Sequence, residues 1–196
     1  MLKRLFELTF AFISIILLIP IFIIISVLIV ADSKGGIFYK QMRVGKNGKG
    51  FYLYKFRSMQ KNADKNGLLI TGRYDSRITK VGHFIRKYKI DELPQLMNVL
   101  LGDMNLVGPR PEVSKYVDLY NEEQKKVLLV KPGITDYASI EYSNENVLLS
   151  TAMNPEQTYI NYIMPAKLKL NLKYIEEQSL IIDLKIIWNT ILKIIK

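Results

Sequence analysis

The 196-residue chain has no cysteine and a single histidine, His83. The first absence excludes disulfides, thiolate nucleophiles and cysteine-ligated zinc, and it leaves the redox compartment undetermined. The second makes a histidine-based metal site a poor reading, so His83 is taken as structural. Acidic residues are scarce as well: 18 Asp and Glu stand against 28 Lys and Arg, a formal charge of +10. That balance needs an anionic partner, and nucleic acid, anionic lipid and nucleotide substrates all qualify. No internal repeat or low-complexity stretch occurs, and the length suits one domain with a core of its own.

Apolar residues, by contrast, crowd the start. Leu8 to Val30 is broken only by Thr9, Ser14, Pro20 and Ser26, a run long enough to cross a bilayer. A signal peptide has a shorter apolar core and small residues at a cleavage site, so a retained membrane segment over residues 1–33 is expected, followed by a catalytic domain over 34–196. Lys3 and Arg4 precede the segment, and Lys34, Lys40, Arg43, Lys46, Lys49, Lys55, Arg57 and Lys61 follow it with no acidic residue between Ser33 and Lys61. Both flanks therefore favour the cytoplasm. Pro20 removes a backbone bond near the middle and should bend the helix. The segment thus reads as re-entrant, entering and leaving by one leaflet; the alternative is a kinked span with its N-terminus outside.

Residues 37–41 and 51–56 read as two strands joined by the turn Gly45-Lys46-Asn47-Gly48-Lys49-Gly50. Such a basic, aromatic hairpin suits lipid headgroups. The same interleaving resembles a platform for single-stranded nucleic acid, but beside a membrane helix no nucleic-acid partner is expected. A polar loop, free to move, is expected over 62–80. An apolar helix follows, ending near Gly102. Pro111 is expected to open a helix with Val113, Tyr116, Val117 and Tyr120 in the core, stopped by Lys131-Pro132-Gly133. Helices over 157–164 and 166–177 should break at Pro165. Over 180–195, Leu180, Leu184, Ile187, Trp188, Ile191 and Ile195 form an apolar stripe that either packs into the core or lies in the membrane interface. The fold class is α/β, mainly helical, with a short β-hairpin.

The residues that carry chemistry are Asp91-Glu92-Leu93-Pro94-Gln95-Leu96 and, shortly after, Gly108-Pro109-Arg110-Pro111. A carboxylate pair ahead of a proline and an apolar helical pattern lies at a helix N-terminus, where dipole and free N–H groups keep it ionised. That place suits a nucleophile or a metal ligand, and equally suits simple capping. Two carboxylates with several Arg and Lys, and neither Cys nor a catalytic His, fit phosphoryl transfer, usually with Mg²⁺. The membrane segment suggests a lipid substrate. One carboxylate attacking phosphorus while the other holds Mg²⁺ gives an acyl-phosphate route. Arg57, Arg86 and Arg110 are forked donors suited to phosphate oxygens.

Taken together, Gln41-Met42-Arg43-Val44-Gly45, Tyr54-Lys55-Phe56-Arg57-Ser58-Met59, the Asp91 to Leu96 motif, Gly102-Asp103-Met104, Gly108-Pro109-Arg110-Pro111 and Lys131-Pro132-Gly133-Ile134-Thr135 resemble the bacterial sugar transferases, or monotopic phosphoglycosyl transferases, over nearly the whole chain. The resemblance implies transfer of a sugar-1-phosphate from a UDP-sugar to polyprenyl phosphate with release of UMP. It implies a re-entrant helix in the cytoplasmic leaflet of the bacterial inner membrane, and entry into lipid-linked glycan synthesis. It also implies that Asp91 is the nucleophile, that Glu92 helps to bind Mg²⁺, and that Arg86 and Arg110 meet phosphate. A homodimer is compatible with this reading. Two departures stand out: Ile19-Pro20 replaces the Ser-Pro found at the bend, and Asp136-Tyr137-Ala138-Ser139 differs from the usual stretch after Thr135, which points to a subgroup with a different sugar.

Overall fold

A computed structural model describes residues 2–63 and 75–195. The apolar segment forms α1 (Leu2–Asp32), helical throughout with Pro20 inside it. Only 11% of its most apolar stretch is buried, so it is not the core helix of a water-soluble fold; it fits a membrane anchor. Yet one stripe of α1 meets protein along its whole length. Lys3 is paired with Asp183, Glu7 is buried, and Ala11 lies in the central core with Ile15 and Leu18 packed beside it. Farther along, Phe22, Ile25 and Ile29 pack on Phe56 and Ile85, and Asp32 accepts from the Val81 amide at 2.9 Å. The helix continues through Pro20, since one missing N–H costs one bond while contacts at Leu18 and Phe22 hold the helix on either side. Both ends of α1 are tied to other parts of the chain, the first turn through Lys3 to Asp183 and the last through Asp32 to the Val81 amide.

Strands β1 (Phe38–Val44) and β2 (Gly50–Phe56) pair antiparallel from Phe38↔Phe56 to Val44↔Gly50. Their turn uses left-handed backbone at Asn47 and Gly48, which those two residue types tolerate best. Helices α2 (Lys80–Lys87) and α3 (Gln95–Leu101) follow, the latter closed by Gly102 at φ +93° as expected of a glycine stop. The loop expected over 62–80 lies largely outside the described residues.

A second sheet escaped the sequence reading. Strands β3 (Asn105–Val107) and β4 (Gly133–Thr135) pair in parallel, Asn105↔Gly133 and Val107↔Thr135. The pairing lays Gly108-Pro109-Arg110-Pro111 along Lys131-Pro132-Gly133 so closely that a Cβ on Gly133 would sit 2.0 Å from the Gly108 nitrogen. Gly133→Ala is accordingly expected to destabilise the fold by about 3 kcal/mol, the upper end of overpacking costs, since backbone cannot yield as a side chain can. A thermal midpoint matching wild type would show that the two segments are not in contact.

The helix expected after Pro111 is mostly not one. Residues 111–113 are held extended because Val44 N donates to Glu112 O at 2.8 Å, and only α4 (Ser114–Val117) is helical, with a 3₁₀ segment at Gln124–Leu129. Tyr116, Val117 and Tyr120 are nonetheless buried as expected. Short helices α5 (Tyr137–Glu141), α6 (Glu145–Ser150) and α7 (Pro155–Thr158) lead into α8 (Met164–Glu177). The break expected at Pro165 is instead a π-helical turn at Tyr159–Ile163, whose wider ring accommodates the proline that opens α8. The last helix, α9 (Leu180–Ile195), turns Asp183 and Ile186 inward. Of the stripe, Ile187 packs against the central core, whereas Leu180, Leu184, Trp188 and Ile191 stay exposed, Trp188 by 62%, so the helix has both a core-facing side and an apolar outer side.

Candidate active site

The site begins where α2 ends. Lys89 takes a left-handed conformation (φ 56°), turning the chain into a 3₁₀ turn, Ile90–Glu92, just ahead of Pro94 and α3. This reversal points Asp91 inward, leaving it only 7% exposed, and its Oδ1 is buried without a hydrogen-bond partner. Neither carboxylate caps α3, whose first residue lacks any side-chain cap. Simple capping therefore does not explain the pair.

Glu92 is held from two sides. Lys55 Nζ donates to Oε1 at 2.8 Å, and Arg110 spans both oxygens, through Nη1 to Oε2 at 3.2 Å and through Nη2 to Oε1. Lys55 projects from β2 on the same face as Phe51 and Leu53, as the two-residue period of a strand requires. Arg110 is set by the β3–β4 crossing: its amide donates to Asp136 Oδ2 at 3.2 Å, while Asp136, fully buried, caps α5 through Ser139 N at 2.6 Å. Behind Arg110, Arg43 donates to Pro111 O and Glu112 Oε2, and Glu112 also accepts the Tyr159 hydroxyl.

These contacts push the two carboxyls apart. Burial and the neighbouring Glu92 charge raise Asp91 above the ordinary aspartate range, against the pull of Lys55, Arg86 and Lys89. Burial also works against charge on Glu92, but Arg110 and Lys55 outweigh it and hold that carboxyl well below its usual value. Lys55 is lowered by burial, an effect that Glu92 opposes. The result is a glutamate whose charge is favoured beside an aspartate whose charge is disfavoured, the ionised form of the latter lacking a partner at Oδ1.

Of the arginines expected at phosphate, Arg110 lies at the pair, and Arg86, in the last turn of α2, is near enough for its charge to act on Asp91. Arg57 is a correction. It is 7% exposed and donates to Gly36 O (2.6 Å), Lys34 O (2.8 Å), Ser33 O (2.8 Å) and Ile29 O (3.4 Å). Four of its five N–H groups are thus spent on carbonyls in and just after the last turn of α1. Pro20 lies in the membrane helix and has no part in the site. The roles of Lys55 and Asp136 were missed. Lys55 had a signal, a lysine in register with the inward residues Phe51 and Leu53; Asp136 had none, since only the β3–β4 pairing brings it to Arg110.

Among the described residues no group of three acidic or histidine side chains gathers to hold a metal. Mg²⁺ does not need one, because it keeps several waters and takes one or two carboxylates together with substrate phosphate oxygens. The remaining lone pair of Glu92 Oε2 fits that role, and the bare Asp91 Oδ1 is left for a different one.

The fold and the site thus define a domain with an apolar N-terminal helix that fits a membrane anchor and a buried acidic pair set among Lys55, Arg86 and Arg110. The chain belongs to the bacterial sugar transferase family, whose family model matches residues 1–196. It is 41% identical to the uncharacterized sugar transferase EpsL of Bacillus subtilis (strain 168), covering 99% of this chain and 87% of that one. It is 38% identical to the UDP-N-acetylgalactosamine-undecaprenyl-phosphate N-acetylgalactosaminephosphotransferase of Aeromonas hydrophila and 35% identical to the UDP-glucose:undecaprenyl-phosphate glucose-1-phosphate transferase of Klebsiella pneumoniae. Those alignments cover 96% and 97% of this chain but 42% and 39% of the relatives, so the chain spans about two fifths of their length.

Proposed function

We propose that this chain transfers a sugar-1-phosphate from a UDP-sugar to polyprenyl phosphate at the cytoplasmic face of the bacterial inner membrane, the first step of a lipid-linked glycan. The observation that carries the reading is the bare buried oxygen of Asp91 beside a glutamate clamped by Lys55 and Arg110. In the first step Asp91 Oδ1 attacks the phosphorus that bears the sugar. A carboxylate–phosphorus bond forms, the bond to the oxygen bridging the two phosphates breaks, and UMP leaves with the electron pair. Arg86, Arg110 and Lys55 lower the cost of charge on the phosphates. In the second step an oxygen of polyprenyl phosphate attacks the same phosphorus, releasing Asp91 and giving a polyprenyl diphosphate sugar. Glu92 would hold Mg²⁺, which, when bound, neutralises phosphate charge.

The test is UMP release by the purified chain against a panel of UDP-sugars with undecaprenyl phosphate. Without the lipid, labelled UDP-sugar should leave one sugar phosphate on the protein, visible by intact mass. UMP release only when lipid is present, with protein mass unchanged, would replace the two-step route by direct transfer.

A further inference from the structure

The proposed reaction requires Asp91 and Glu92 to be placed accurately against Lys55, and misplacement by about 1 Å is enough to cost on the order of 100-fold in rate. The groups come from two short elements, β2 and the turn leading into α3. Three side chains fasten these elements, each gripping main chain of the next. Asn98 of α3, fully buried, accepts from Tyr54 N at 3.1 Å and donates to Tyr52 O at 2.7 Å, so its amide completes the free edge of β2 next to Lys55. Arg57, one residue beyond β2, closes on the carbonyls at the end of α1. The third is Arg4. From the first turns of α1 it donates through Nη2 to Val99 O at 2.6 Å and through Nη1 to Met104 O at 3.1 Å, meeting the negative end of α3 with a guanidinium fork.

These bonds close a circuit from α1 to α3, to β2 and back to α1. We infer that the membrane helix is part of the catalytic framework, with Arg4 a positioning residue that sets Asp91 and Glu92 against Lys55 through α3. Helix α3 has seven residues, about 10 Å of rise, and is too short to absorb a shift of one end before it reaches the other. Lys3, next to Arg4, bonds Asp183 and Tyr174 instead, so the two N-terminal cations hold different parts of the fold. The second holds the one that carries the acidic pair.

This inference rests on the proposed reaction, and its test separates the two. In the full chain, reconstituted in phosphatidylethanolamine and phosphatidylglycerol nanodiscs, Arg4→Lys keeps the positive flank that governs topology, but it replaces a rigid two-nitrogen fork by a single nitrogen on a flexible stem. Its kcat for UMP release should fall about tenfold with KM for the UDP-sugar within twofold, and Arg4→Met should fall about 100-fold. Hydrogen exchange supplies a readout independent of turnover: amides of residues 89–93 should exchange several-fold faster in Arg4→Lys, and those of 38–44 unchanged. Wild-type kcat in Arg4→Lys, or unaltered exchange at 89–93, overturns the positioning role. If the wild-type chain releases no UMP from any UDP-sugar, the reaction is wrong, and the exchange measurement still decides whether Arg4 holds the turn.

Discussion

Asp91→Asn is expected to lower UMP release by on the order of 10⁴-fold, because an amide is a weak nucleophile and carries no charge to donate. The fold should survive. Asp91 has its pKa raised in the folded protein, chiefly by burial, so at neutral pH its charge is a cost that the isosteric amide removes. The sign follows from linkage: relative to Asp91→Asn, the wild-type chain loses stability as pH rises through the folded-state pKa of Asp91 and is least handicapped below it. The thermal midpoint of the variant at pH 7 should therefore equal or exceed that of wild type. Activity of the wild-type chain should in turn fall on the acid side as Asp91 protonates, above the ordinary aspartate range, while Glu92 remains charged. Turnover of Asp91→Asn within tenfold of wild type would remove Asp91 from the nucleophile role.

Arg110→Met should carry the next largest loss, about 10³-fold in kcat, the scale on which arginines act in phosphoryl transfer. It also leaves Glu92 in a buried place with Lys55 as its remaining ion-pair partner. Breaking a buried ion pair costs about 3–5 kcal/mol; since 29% of the Arg110 side chain is exposed, solvent screening brings the expectation nearer to about 2 kcal/mol. Glu92 has its folded pKa depressed by Arg110 and Lys55, so its contribution is present above the ordinary glutamate range and is lost as pH falls through the folded value. The stability gap between wild type and Arg110→Met should thus be widest at neutral pH and narrow in acid. A gap independent of pH would mean that Arg110 supports the fold by packing and not through Glu92.

How much of this could be read beforehand depended on how far apart the interacting residues lie. The β1–β2 hairpin was legible because its turn chemistry and its alternating strands are both local. The acidic pair was legible as a candidate because a proline, an apolar helix and an arginine motif surround it within twenty residues, and the structure sets Arg110 on Glu92. The β3–β4 pair was not: each strand has three residues, and what defines them is mutual pairing across an intervening stretch that carries no strand pattern. Val113, Tyr116, Val117 and Tyr120 have helical spacing, but only Tyr116 and Val117 lie in a helix, the four-residue α4, while Val113 follows extended backbone tied to β1 and Tyr120 follows a turn, so the periodicity reported a core and overstated the helix. Arg57 was misread for a related reason. A guanidinium that binds phosphate and one that closes a helix end require the same fork, and only the position of the α1 carbonyls distinguishes them.

The stripe of α1 alters how substitutions in a membrane anchor should be weighed. Leu17, Ile23 and Val27 face outward, and there one large aliphatic residue serves as well as another. Ala11 is wholly enclosed among Leu53, Leu96 and Ile186, where an added methylene has no room. Between those classes the period is three or four residues, so the helix has a grammar that hydropathy averages erase. Two anchors of equal length and greasiness are therefore not interchangeable on this domain, and drift in the helix over evolutionary time is constrained on one face while the other wanders freely among apolar residues.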